Sequence, residues 1–281
     1  MYRHDLLASK KILVTGGGSG LGAAMARRFA ELGASVHIAG RRLEVLQATA
    51  AAITADTGAP VGVHRCDVRD PAMVEQTLAA LWADGPLSVL VNNAAATFVA
   101  RTEQLSSRAV DAILGPTLHG AIHCTLAAGR RWIEAGHPGV VLSILSTSTI
   151  TGRAFTVPSA IAKSGVLAMT RSLAVEWGPR GVRTVAIAPG PFPTPGAWSR
   201  LRVAERQGGA GPQARNPLGR VGEHLELANL ACYLVSDEAG YINGEMVTID
   251  GGAHLRTSGA EDLLGWSEQD WQALKRGDNT P

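Results

Sequence analysis

The chain has 281 residues, of which 46% are apolar and 18% charged. This balance supports a large buried core without disulfides or metals and excludes a disordered or collagen-like chain. A formal net charge of +2, with no run of basic residues, excludes nucleic acid and an anionic membrane as partners.

The start, Met1 to Lys11, mixes Arg3, His4, Asp5, Lys10 and Lys11 with a short apolar patch and has no signal-peptide core. No apolar stretch approaches the ~20 residues that span a bilayer, so the expected location is the cytoplasm. Cys66, Cys124 and Cys232 are widely spaced and odd in number, which predicts reduced core thiols, no disulfide framework and no metal site.

Short apolar runs alternate with longer Ala/Leu/Arg/Glu-rich segments along the chain, the pattern of parallel strands joined by crossover helices. The predicted strands are Ile12–Thr15, Ser35–Ala39, Val61–Arg65, Val89–Asn92, Gly139–Ile144, Arg183–Ile187 and Met246–Ile249. Between them the predicted helices are Leu21–Leu32, Arg42–Thr57, Pro71–Ala83, Ser106–Ala135, Pro158–Gly178 and Glu223–Val235. The expected fold is α/β, a Rossmann-type doubly wound three-layer sandwich with a seven-stranded parallel sheet. One domain is expected over residues 1–281, with a core at about 8–254 and a C-terminal extension at 255–281.

The first strand runs into Thr15-Gly16-Gly17-Gly18-Ser19-Gly20-Leu21-Gly22 and then into a helix. Glycines permit close backbone approach, and a helix N-terminus receives a pyrophosphate on its unpaired N–H groups. Gly16, Gly18, Ser19, Gly20, Leu21 and Gly22 are therefore predicted to bind a dinucleotide. The second strand ends in Gly40-Arg41-Arg42, where an NAD-specific protein carries an acid for the ribose 2′-hydroxyl. A guanidinium here clamps a 2′-phosphate, so Arg41 points to NADP(H); Arg42 reads as a residue of the next helix's surface. Farther on, Gly190 to Gly219 is rich in Pro, Gly and Arg and reads as a long, partly mobile loop beside the ligand cleft. After His254 the chain turns polar, and Ser267 to Asp270 offers a capping-box start to a short helix carrying Trp271.

With these motifs in order, the sequence resembles the classical short-chain dehydrogenase/reductases over residues 8 to 254. The resemblance rests on the Gly-rich turn, Cys66-Asp67-Val68, Asn92-Asn93-Ala94-Ala95, the Ser146 region, Lys163, Pro189-Gly190 and Asp250-Gly251-Gly252. It implies that Asp67 and Val68 meet the adenine, and that Asn93 and Ala94 line the ribose side and support the sheet. It also implies that Lys163 holds the nicotinamide ribose and that Pro189 and Gly190 brace the nicotinamide. Read on their own, Asp67 is a loop cap and Pro189-Gly190 a turn. The chain is most similar to 2,4-dienoyl-CoA reductase-like and 3-oxoacyl reductase-like members through Val157–Lys163, Leu173–Gly178, Ala188–Pro191 and Trp198-Ser199-Arg200-Leu201. The family implies a homotetramer or a dimer and a small-molecule substrate.

The departure lies in the acid/base group. The family's YxxxK position reads Ser159-Ala-Ile-Ala-Lys163, and the dienoyl-type tyrosine position, fifteen residues before the lysine, is Ser148. A serine hydroxyl is far less acidic than a phenol of pKa about 10, so ~10²- to 10⁴-fold of general acid help is at issue. Ser159 and Lys163 share one helix face, and Ser146 falls where the family's substrate-orienting hydroxyl belongs. Ser146, Ser148, Ser159 and Lys163 are thus the predicted catalytic residues. The family's catalytic asparagine falls near Thr117, with His119 close by and Pro116 bending that helix. The leading reading is an NADP(H)-dependent oxidoreductase of an acyl thioester, enone or ketone. The alternatives are a non-redox isomerase or cyclase, and a catalytically silent NADP(H)-binding protein.

Overall fold

The computed structural model describes residues 2–194, 196, 211–256 and 260–276. Much of the expected loop from Gly190 to Gly219, and all of Trp198-Ser199-Arg200-Leu201, lies outside the described residues.

Among the described residues seven strands form one parallel sheet: β1 (Lys11–Thr15), β2 (Ser35–Gly40), β3 (Val61–Arg65), β4 (Val89–Asn92), β5 (Gly139–Ile144), β6 (Val182–Pro189) and β7 (Met246–Ile249). Their order is β3-β2-β1-β4-β5-β6-β7. The order reverses between β1 and β4, and an open α/β sheet forms its binding crevice at that point, beyond the carboxyl ends of the strands.

The helices are α1 (Gly20–Glu31), α2 (Leu43–Thr57), α3 (Pro71–Ala83), α4 (Ser107–Leu114), α5 (Gly120–Ala135), α6 (Ser148–Thr151), α7 (Val157–Trp177), α8 (His224–Val235) and α9 (Glu268–Arg276). Strand residues alternate between two apolar layers. Ile12 and Val14 pack with Met25 and Phe29 of α1, Leu46 of α2 and Leu227 of α8. Leu13, Leu90 and Val141 face the other way, onto Leu78 of α3, Trp132 of α5 and Trp177 of α7. A strand buried on both faces therefore reads as a continuous apolar run, which is what made these segments recognisable. Cys66, Cys124 and Cys232 are free and buried, and burial pushes each thiol's pKa up, so they remain protonated core groups.

The caps follow local chemistry. Asp70 accepts the N–H groups of Ala72 and Met73 ahead of Pro71, and Glu223 and Glu226 form a reciprocal box that starts α8. The same device opens α9, where Ser267 and Asp270 bond each other's backbone N–H groups and the rings of Trp266 and Trp271 lie 5.1 Å apart.

The expected single helix Ser106–Ala135 is instead interrupted: α4 and α5 are joined by one π-type turn, Gly115–His119. Pro116 sits in this turn, and its missing N–H accounts for the break in the α-helical ladder. Arg42, expected inside the second helix, is its N-cap. The sixth strand is longer than expected at its carboxyl end and carries Pro189 into the sheet, paired with Ile249.

On β2 and β3, His37 Nδ1 lies 3.1 Å from His64 Nε2, and both rings are half-buried. Burial lowers the His37 pKa from 6.5 to about 4, helped by the neighbouring His64 and Lys11 and opposed by Asp84; burial lowers that of His64 too. The unfolded chain therefore binds more protons than the folded one below pH 6.5, and stability falls as pH drops from 6.5 towards 4. Urea unfolding across this window should show stability falling with pH, by no more than about 2 kcal/mol once solvent screening of the half-exposed ring is allowed for. In His37→Gln the slope should flatten, and an unchanged slope would refute this assignment.

Candidate active site

The Gly-rich turn is held from both neighbouring strands. Thr15, at the end of β1, is buried; its hydroxyl donates to the Val91 carbonyl at 3.1 Å and accepts the N–H groups of Asn93 at 3.0 Å and Ala94 at 3.1 Å. In return the Asn93 amide donates to the carbonyls of Thr15 at 2.9 Å and Gly16 at 3.2 Å. Thr49 of α2 closes the other side by donating to the Gly18 carbonyl at 2.8 Å. Gly16 and Gly20 have φ of 65° and 55°, a conformation that a side chain disfavours. At Gly22 a Cβ would stand 2.4 Å from the Gly16 carbonyl oxygen and 2.5 Å from Asn93 Nδ2.

The turn delivers α1 with its first N–H groups unpaired within the helix. Ser19 is the N-cap, yet its side chain makes no capping bond, and the first turn carries no acid. Backbone donors without a side-chain cap or a competing carboxylate suit a phosphate. A dinucleotide pyrophosphate therefore fits Gly16, Gly18, Ser19, Gly20, Leu21 and Gly22. Thr194 is a neighbour that the sequence reading missed: its methyl would lie 3.0 Å from a Cβ at Gly20, so the chain leaving β6 closes over the turn. His224 at the start of α8 supports that return by contacting the Pro193 carbonyl at 2.6 Å. The run Pro189-Gly190-Pro191-Phe192-Pro193-Thr194, stiff with prolines, was the available signal.

Beyond β2, Arg41 is exposed. Asp67 is held by Arg69 Nε at 3.0 and 3.1 Å and Nη2 at 2.5 Å. That pairing first, with a smaller contribution from Arg41, keeps the Asp67 carboxyl below the usual range. Asp67 thus caps its own loop through the Arg69 N–H at 3.1 Å. Val68 is buried, and its carbonyl contacts His123 Nδ1 of α5 at 3.0 Å. An open groove of about 600 Å³ runs from Gly20 of the turn between α1 and α2, past Arg27, Thr49 and His224, and includes none of the predicted catalytic side chains.

At the other end of the crevice Lys163 of α7 is buried, and its ammonium donates to the carbonyl of Ile144, the last residue of β5. Burial lowers its pKa from 10.5 to about 8. The chain leaving β5 passes through Ser146, whose Oγ accepts the Ser148 N–H at 3.3 Å and whose carbonyl accepts the Thr149 hydroxyl at 2.8 Å. Ser148 is buried at the start of α6, and half-buried Ser159 sits one turn before Lys163 on α7. Ser146 and Ser148 thus follow directly on β5, and Ser159 stands one turn before Lys163, whose ammonium reaches the carboxyl end of that strand.

The three tyrosines lie elsewhere. Tyr2 donates to the Asn229 carbonyl beside α8, Tyr233 is on α8 itself, and Tyr241 is fully exposed before β7. Thr117, in the π-type turn, is buried; its hydroxyl accepts the Ala96 N–H at 3.0 Å and so anchors the chain leaving β4, while His119 is exposed. Gly190 donates to the Ile249 carbonyl at 2.9 Å and lies against Asp250, where a Cβ would come within 2.5 Å. Asp250 accepts the N–H groups of Gly252 and His254 and contacts the His254 ring at 2.8 Å, which fixes the turn that follows β7.

The sequence profile described as Enoyl-(Acyl carrier protein) reductase matches residues 16–254. A probable 2,4-dienoyl-CoA reductase [(2E)-enoyl-CoA-producing] of Bacillus subtilis is 42% identical, with 89% of this chain and 98% of that protein covered. A short chain dehydrogenase from Bacillus anthracis, known from its crystal structure, superposes with a TM-score of 0.79 at 38% identity, covering 89% of this chain and 99% of that one. A putative 2-deoxy-d-gluconate 3-dehydrogenase from Agrobacterium tumefaciens, crystallised with bound NADP, superposes with a TM-score of 0.81 at 30% identity over 90% and 100%.

Gly22→Ala should force the turn apart, costing about 1 to 3 kcal/mol of stability and most of the nucleotide affinity. Gly136 also has positive φ, 59°, but a Cβ there meets nothing within 4 Å. Gly136→Asn should keep both properties nearly unchanged in thermal unfolding and nucleotide titration; equal behaviour of the two variants would contradict the clash.

Proposed function

The chain belongs to the short-chain dehydrogenase/reductase family, and we propose that it is an NADP(H)-dependent reductase of acyl thioesters, or of related enones and ketones, whose site works with serine hydroxyls in place of tyrosine. The observation that carries this reading is the buried ammonium of Lys163, held at the end of β5 beside the hydroxyl-bearing stretches, in line with an uncapped phosphate-binding turn. The proposal treats residues 8–254 as one domain with 255–281 as its extension, and places the protein in the cytoplasm. Among the described residues no helix is long and apolar enough to cross a membrane.

When bound, the nicotinamide supplies the hydride. The chain's own contribution is position and charge. Lys163 holds the nicotinamide ribose and lends positive charge to the oxygen that turns anionic as a conjugated carbonyl accepts hydride. Ser146 and Ser148 orient that oxygen. Ser159, too short to span the distance of a phenol, leaves room for a water that delivers the proton. Asn93 and Ala94 shape the ribose side, Asp67 and Val68 the adenine side, and Pro189 and Gly190 the nicotinamide edge. Exposed Val175 on α7, 80% accessible, with Ile161 of the same helix and Leu126 of α5, supports self-association as a homotetramer or dimer.

Titration followed by tryptophan fluorescence should show tighter binding of NADPH than of NADH. Arg41→Ala should weaken NADPH by about 10-fold or more and leave NADH alone, since the lost bond is charge-assisted. Failure of both nucleotides to bind would remove the oxidoreductase reading.

A panel of enoyl, dienoyl and 3-oxoacyl thioesters should consume NADPH, with activity falling as pH rises through about 8, where Lys163 loses its charge. Lys163→Ala should lower kcat by about 100-fold. The missing tyrosine supports a second reading, non-redox isomerisation or cyclisation by the same hydroxyl pocket. Product formed without a change in nicotinamide absorbance would select it.

A further inference from the structure

The segment between α6 and α7 carries an unusual residue. Phe155 has φ of 62°, and it is the sole non-glycine residue with positive φ among the described residues. A bulky side chain makes this conformation costly, so it persists only where the surroundings dictate it. Here the segment enters through Gly152, also at positive φ, and leaves through buried Thr156, whose hydroxyl donates to the Arg153 carbonyl at 3.3 Å. Between them the Phe155 carbonyl accepts the Ala100 N–H at 3.0 Å. That bond ties the chain leaving β5 to the chain leaving β4, two neighbouring strands whose carboxyl ends lie on the side of the sheet where such folds form their crevice.

Despite the backbone cost, the ring is not used to fill the core: Phe155 is 56% exposed. The same two segments expose Val99 at 36% and Ile150 at 49%. The residues nearest the reacting position are polar, namely Ser146, Ser148, Ser159 and Lys163, whereas the outer segments present apolar side chains. A ligand with a polar head and a hydrocarbon tail matches that order, with its carbonyl inward and its chain along the rim.

We infer that Phe155 is a specificity-determining residue that packs against the hydrocarbon chain of the acyl substrate, its backbone being held in a disfavoured conformation to keep the ring at the mouth. This rests on the acyl-thioester reading above. It adds a residue that the family motifs do not mark and a dependence on chain length that they do not imply.

The test uses equilibrium binding, which requires no turnover. Butanoyl-, octanoyl- and dodecanoyl-CoA are titrated into the NADP⁺-loaded protein by calorimetry, with wild type, Phe155→Gly and Phe155→Leu compared. Wild-type affinity should rise with chain length. Phe155→Gly should weaken dodecanoyl-CoA by about 10-fold and butanoyl-CoA by less than about 2-fold. Phe155→Leu should retain most of the length dependence. Thermal unfolding provides the independent readout: glycine removes the φ penalty, so Phe155→Gly should melt at a higher temperature than wild type while binding less well. An unchanged length dependence in Phe155→Gly overturns the inference and leaves the acyl-thioester reading standing. Absence of binding to wild type for all three thioesters overturns both. A change in oligomeric state alone, with binding intact, also counts against the inference.

Discussion

The site depends on one reciprocal clasp. Thr15 ends β1 and Asn93 follows β4, strands that are neighbours in the sheet although the two residues are 78 apart in sequence. The hydroxyl of Thr15 collects the N–H groups at the end of β4, and the amide of Asn93 returns two donors to the carbonyls that open the Gly-rich turn. Without those donors the carbonyls of Thr15 and Gly16 would be left unpaired in a half-buried place, a condition that costs more than the bond itself returns. The clasp therefore sets the conformation of the turn, the turn sets the direction of α1, and α1 presents its amide groups to the crevice. Because it bridges β1 and β4, it does so at the point where the strand order reverses.

A second constraint acts at the opposite end. Lys163 is taken out of water and given the Ile144 carbonyl as its partner, so its charge is maintained at a lower pKa than a surface lysine has. Desolvation makes that charge more effective towards a nearby developing anion and also easier to lose. In a site without a phenol this matters more than usual. The serines at 146, 148 and 159 are good hydrogen-bond partners and weak acids, which is why the proposed reaction gives them orientation and leaves the proton to water.

The π-type turn at Gly115–His119 links these two ends. Pro116 breaks the ladder, and the shift turns Thr117 inwards, where its hydroxyl meets the backbone of Ala96. Histidine at 119, the more suggestive residue for proton transfer by type, is instead exposed. Chemical character pointed to one side chain and geometry selected another, since a local change in helical period rotates every following residue about the axis.

The order of strands and helices was legible in sequence because the central strands are buried on both faces and the helices that pack on the sheet on one, so hydrophobic runs and their periods report the layers directly. The phosphate-binding turn was legible for a related reason: only glycine tolerates the φ values of Gly16 and Gly20 and the close approach at Gly22, so the motif is a backbone requirement written in residue types. Missing tyrosines at 148 and 159 were equally plain. Long-range contacts were not. That Thr194 closes over Gly20, that buried Thr117 anchors the backbone of Ala96 while His119 is exposed, and that the Phe155 carbonyl is bonded by Ala100 all depend on segments brought together by the sheet. Sequence determined the elements because local periodicity and backbone sterics act within a few residues. Only the tertiary structure decided which side chains share the site, because that depends on the register of parallel strands and the paths of the loops leaving them.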